Sequence, residues 1–152
     1  MKMFKYCLLI ALVGLVFSTQ GLSAELAGLV KTVQGDVNIF RGDKSVAAKV
    51  GSPVFANDKV TTGENSSVGI MLRDNTQLSA GDNSVLELNK FSFNTTTHAG
   101  KLDATVKRGT LSVISGKLAK SNPDSVKFNT SAVTLGVRGT EFIIEAADRE
   151  GE

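Results

Sequence analysis

From Gly28 onward the chain is a succession of short runs rich in Val, Ile, Leu, Thr and Phe. Gly, Asn, Asp and Ser break these runs at intervals of roughly eight to twelve residues, the pattern of an all-β protein with many short strands. Within the runs the period is two. Val68, Ile70 and Leu72 share one face, as do Leu102, Ala104 and Val106, which marks half-buried strands because successive side chains point to opposite sides of a sheet. Strands are expected at 29–33, 37–41, 59–62, 67–73, 76–79, 85–89, 101–107, 110–115, 126–130 and 141–146.

Turn chemistry separates them. Asn57-Asp58, Gly63-Glu64-Asn65, Asp74-Asn75, Gly81-Asp82-Asn83, Arg108-Gly109, Ser115-Gly116 and Asn122-Pro123-Asp124 all fall between runs. Asx side chains bond nearby backbone there, and glycine tolerates positive φ. No window of ten or more residues after the N-terminal segment keeps a 3.6 period, so helix content should be low, with residues 146–152 forming at most a frayed turn. Such strands can stack as a solenoid or pair as a two-sheet sandwich, and periodicity does not choose between them. The polar stretch 94–100, which contains His98, lacks apolar anchors and reads as a mobile loop.

Residues 1–24 have the form of a cleavable secretory signal. Lys2 and Lys5 precede an apolar run from Cys7 to Phe17, and small residues end at Leu22-Ser23-Ala24, with the cut expected before Glu25. The run is only eleven residues, against the ~20 that a spanning helix needs, so retention of the segment as an anchor is the weaker reading. After cleavage no stable membrane span remains, and the expected location is periplasmic or secreted. The sole cysteine, Cys7, lies inside this segment, so the mature chain has no thiol for disulfides, nucleophilic catalysis or metal binding. Of the 17 basic residues, 15 remain after cleavage against 15 acidic ones, which implies no strongly charged partner. Residues 25–152 should form one domain with a core at about 30–146.

The segment 130–142 carries Gly136-Val-Arg138-Gly139-Thr140, two glycines around one arginine between two strand-like runs. Gly136, Gly139 and Thr140 read as backbone geometry, with Gly63, Gly109 and Gly116 as further structural positions. The Arg138 guanidinium offers several donors to carboxylates or carbonyl oxygens. It either locks the last strands through Glu141, Glu145 or turn carbonyls, or docks a partner.

The whole order of motifs resembles a known family. Asn57-Asp58-x-Val60-x-Thr62-Gly63 is followed by Ser67-Val-x-Ile-x-Leu-Arg-Asp-Asn-Thr76-x-Leu78 and Asn83-Ser84-x-Leu86. Gly109, Ser115-Gly116-Lys117 and the block 130–142 complete it, and over about 30–144 the chain resembles the FecR domain. The resemblance implies an extracytoplasmic all-β domain of solenoid-like, two-sheet character. In the best understood members, that domain belongs to a regulator relaying the state of an outer-membrane siderophore receptor to an extracytoplasmic-function sigma factor. This chain shows no anti-sigma region before the apolar segment and no receptor-contacting domain after the Gly-Val-Arg-Gly-Thr block, so it looks like a stand-alone secreted version. Asp74-Asn75 replaces the family's usual Asp-Gly, and both suit a tight turn.

No enzyme is expected. His98 is the only histidine, reads as an exposed imidazole, and has no recognisable serine or acid partner. No cofactor motif is present, nitrogen or sulfur metal ligands do not cluster, and Asp74-Asn75 and Asp82-Asn83 lack calcium-loop spacing. Between Lys101 and Lys127, six basic residues face two acidic ones. Lys107, Lys117 and Lys120 in this stretch are candidates for contact with an envelope glycan or anionic polymer. Nucleic acid is not expected, because no aromatic residues interleave these charges. Two readings therefore stand: a module that binds another envelope protein, involving Arg138 or a strand edge, and a glycan or polymer binder using the basic stretch.

Overall fold

A computed structural model describes residues 24–137 and 139–147. The expected signal segment, apart from Ala24, and the residues after 147 lie outside the described residues, as does Arg138. The described chain is mostly β, a curled and largely antiparallel sheet of twelve strands. In chain order these are β1 (Leu26–Gln34), β2 (Val37–Arg41), β3 (Lys44–Ala47), β4 (Pro53–Phe55), β5 (Lys59–Thr62), β6 (Ser67–Leu72), β7 (Gln77–Ala80), β8 (Val85–Phe93), β9 (Gly100–Ile114), β10 (Val126–Asn129), β11 (Thr134–Gly136) and β12 (Glu141–Ala146). One short helix, α1 (Lys117–Ser121), and a 3₁₀ turn at Pro123–Ser125 follow β9. Three strands escaped the sequence reading. β3 is exposed along its whole length, while β4 and β11 have three residues each, too few to display a period.

Side chains alternate as the period-two runs require. On one half of the sheet Phe142, Val113, Leu78, Ile70 and Val30 occupy paired positions across five strands. On the other half Ile39, Val60, Leu86 and Val106 form a comparable row. Both rows feed one core, and Phe128 of β10 meets Phe142 of β12 edge to face at 5.5 Å, which joins the two halves. Burying each large apolar side chain contributes about 1.5–3 kcal/mol.

β9 is the spine of the sheet and corrects the expected turn at Arg108-Gly109. The chain does not reverse there: one fifteen-residue strand replaces the two expected at 101–107 and 110–115. Its first part pairs β8 and β10, and its second part pairs β7 and β12. The change of partners is possible because Gly109 takes φ +88°, a left-handed value that glycine adopts freely. A Cβ there would collide with the Ser84 hydroxyl. Ser84 Oγ accepts the Thr110 N–H at 3.0 Å, and the Ser84 N–H donates to Thr62 Oγ1 at 2.8 Å. The bend is therefore braced by buried hydroxyls from two neighbouring turns.

β10 lies parallel to β9. Parallel neighbours need a crossover, and residues 115–125 with α1 supply it. Helix is limited to this connection among the described residues, consistent with the low content expected. The strand expected at 141–146 is present with those bounds, and Ala146 is its last residue.

Candidate functional site

The Gly-Val-Arg-Gly-Thr block lies where β11 hands over to β12. Thr130 Oγ1 accepts the N–H groups of Ala132 and Val133 at 3.2 Å each, closing the tight turn between β10 and β11. Gly136 ends β11 in open space, and Val137 is buried. Gly139 has φ +145° with no atom near its would-be Cβ, so conformation and not crowding favours glycine there. Ser115 pins the handover: its hydroxyl donates to the Gly139 carbonyl at 3.0 Å, and its N–H donates to the Thr140 carbonyl at 2.7 Å. These two bonds aim the chain into β12 alongside β9.

β12 pairs only with β9 among the described residues, from Glu141 opposite Ile114 to Ala146 opposite Gly109. Phe142, Ile144 and Ala146 turn inward, whereas Glu141, Ile143 and Glu145 are exposed. Ile143 is 66% exposed and Ile114 beside it 40%. A strand edge with free backbone groups and an apolar centre can take another strand. The exposed Ile143 was legible in the alternation of this run, but that the strand would lie at an edge was not.

The three lysines of the expected basic group lie on two elements. Lys107 is exposed on β9, with Nζ 3.8 Å from Glu87 Oε2. Lys117 and Lys120 are exposed on α1, beyond the end of β9 and past the bend at Gly109. Register gathers a different set: Lys59, Lys90, Lys101, Lys107 and Lys127 share the outer face of the β5, β8, β9 and β10 part of the sheet. Asp103 lies among them, accepting the Asn89 and Asn129 side-chain amides at 3.0 and 2.7 Å.

Two aspartates read as ordinary turn formers are fully buried. Asp74 Oδ1 accepts the Thr76 N–H at 3.1 Å, and Oδ2 accepts the Thr76 hydroxyl at 2.7 Å and the Leu118 N–H at 3.3 Å. The Thr76 hydroxyl in turn accepts the Gly116 N–H at 3.2 Å, and a Cβ at Gly116 would strike the Asp74 carbonyl. The β6–β7 turn and the start of α1, separate in sequence, are thus one structural joint. Asp58 takes a bidentate pair from Arg41, with Nε at 2.9 Å and Nη2 at 2.7 Å, and accepts the Phe55 N–H at 2.9 Å. Hydrogen bonding to Asp58 raises the Arg41 pKa above its ordinary value; burial opposes this and the Asp58 charge adds to it. A cleft of about 420 Å³ opens beside this pair, lined by Phe40, Asn57, Lys59, Glu87 and Asn89.

His98 departs from its expectation. It is half-buried and stacks on Phe93 with ring centroids 5.9 Å apart, and Asn94 Oδ1 accepts the Thr96 and Thr97 N–H groups. His98 takes φ +58°, and its ring on Phe93 of β8 gives the 94–99 loop an aromatic anchor. Gly63 lies beside Asp36 in the turn after β5.

Gly63-Glu-Asn-Ser66 and Gly81-Asp-Asn-Ser84 are the same turn used twice. Asn65 and Asn83 have φ +50° and +48°, and Ser66 and Ser84 are buried. Repetition of Gly-acidic-Asn-Ser was the signal for these buried hydroxyls. No group of three or more metal-ligating side chains gathers, and no helix is long and apolar enough to cross a membrane, among the described residues.

Comparison with curated proteins and with solved structures finds no match. A protein-family match begins at the buried Asp58 and runs past β12, leaving β1 to β4 ahead of it, a later start than the motif order suggested. Over residues 58–152 the match is to the FecR protein family, and the chain belongs to that family.

Proposed function

We propose that this chain is an extracytoplasmic, non-enzymatic module that binds another envelope protein, in sensing or signal relay of the kind associated with FecR regulators. The observation that carries the reading is the open edge of β12, held against β9 by Ser115 and displaying Ile143. The leader-like residues 1–24 support a periplasmic or secreted location, and membership of an envelope-associated family agrees with it. We read the curled sheet as two layers folded over one core, with β9 passing from one to the other.

Crosslinking of a tagged chain in its native envelope, with Arg138→Ala as a parallel bait, tests this reading. One envelope protein should be captured by the wild type. Its loss from a still-folded Arg138→Ala would make Arg138 part of the contact. Turnover of an envelope substrate that a single side-chain substitution abolishes would overturn the non-enzymatic reading. A second reading, binding of an envelope glycan or anionic polymer, is favoured by the five lysines on one outer face. Such binding should fade as salt screens them, with Lys107→Glu weakening it and Lys117→Glu leaving it unchanged.

A further inference from the structure

Four strands end the sheet among the described residues: β3, β4, β11 and β12. Three are blunted in ways that discourage pairing with another chain. β4 and β11 have three residues each, β4 opens on Pro53, and β3 is four residues opening on Lys44. β12 differs: its only charges are Glu141 and Glu145, one on either side of Ile143. It is six residues long, contains no Lys, Pro or Gly, and follows β9 in unbroken register.

Its outward face alternates Glu141, Ile143, Glu145, and the residue opposite Ile143 on β9 is the small Ser112. No cation pairs with Glu141 or Glu145 among the described residues. A second copy is a poor occupant. Antiparallel pairing of two β12 strands about Ile143 sets Glu141 against Glu145 twice, and like charges directly opposite destabilise a ladder. A complementary strand would carry an apolar residue opposite Ile143 and a cation two positions to either side.

We propose that the β12 edge accepts, by strand addition, an extended segment of a partner protein with the pattern basic-x-apolar-x-basic. This rests on the interaction-module reading and names the chemistry of its partner. Backbone bonds to the free edge supply affinity, and the alternating side chains supply selectivity.

The test uses the full mature chain and two labelled heptapeptides, TKTVTKT and TETVTET, in a fluorescence-anisotropy titration. TKTVTKT should bind at least tenfold more tightly than TETVTET, and Ile143→Lys should lose that binding with its urea midpoint unchanged. The double variant Glu141→Lys, Glu145→Lys should reverse the preference. N-methylation of alternate peptide amides should abolish binding when it falls on the amides that face β12. Equal binding of both peptides, no binding of either at millimolar concentration, or a dimer of the chain that Ile143→Lys dissolves would overturn the proposal. Envelope capture that persists in Ile143→Lys would remove β12 as the site and leave the module reading standing, whereas failure of every bait would remove both.

Discussion

Arg41 and Asp58 show how a single pair organises its surroundings. The Asp58 carboxylate is fully buried and is reached by a guanidinium from a half-exposed position. Arg41 also lies over the Phe55 ring, 4.3 Å from its centroid, which holds the fork in place. Arg41→Ala should lower stability by about 1–3 kcal/mol, because it strands a buried acceptor. Arg41→Lys should recover little of this, since a lysine cannot form the bidentate pair. Urea unfolding at constant slope measures both. The raised Arg41 pKa places this contribution below the ordinary arginine range, to be lost only as pH rises through it, so the loss in Arg41→Ala should be the same throughout neutral pH. Gly109 is the second sensitive residue. Gly109→Ala meets both a φ of +88° and the Ser84 hydroxyl and should cost about 2–4 kcal/mol. Gly42→Ala, at φ +58° with nothing within 4 Å, should cost about 1 kcal/mol in the same assay.

Among the elements, the joint between the β6–β7 turn and α1 is local and should fail locally. Asp74→Ala removes three hydrogen bonds from a buried position and should cost about 2–4 kcal/mol. Hydrogen exchange should show the largest loss of protection at Lys117 and Leu118, ahead of the β8–β9 ladder. β12 offers a test of facing. Ile144→Ala, in the core, should cost about 2–4 kcal/mol, whereas Ile143→Thr, pointing outward, should stay within about 0.5 kcal/mol of wild type. Chemical denaturation of the two variants side by side separates these outcomes. These elements also mark what was legible in the chain. Alternation placed Val68, Ile70 and Leu72, or Leu102, Ala104 and Val106, in the core because it records burial directly. Gly109 was misread as a turn because a glycine at positive φ serves a bend within a strand as well as a reversal, and only the Ser84 brace distinguishes them. The joining of Asp74 to Leu118, 44 residues apart, is a long-range pairing that local pattern does not encode. The lysines show a related effect. Proximity in sequence grouped Lys107 with Lys117 and Lys120, whereas sheet register groups it with Lys59, Lys90, Lys101 and Lys127.

The molecule as a whole combines one apolar core, a lysine-bearing outer face on the β5, β8, β9 and β10 side, and a six-residue edge strand, β12. Core and edge meet at Phe142 and Ile143, adjacent residues of which one packs against Phe128 and the other stands in solvent. Stability and recognition should therefore separate within β12. The most direct measurement is crosslinking in living cells with wild type and Ile143→Lys as paired baits, with urea midpoints recorded for both purified chains. Capture of one envelope protein by the wild type, lost from an equally stable Ile143→Lys, is the expected result. Identical capture by the two baits would contradict the account of β12 as the binding edge.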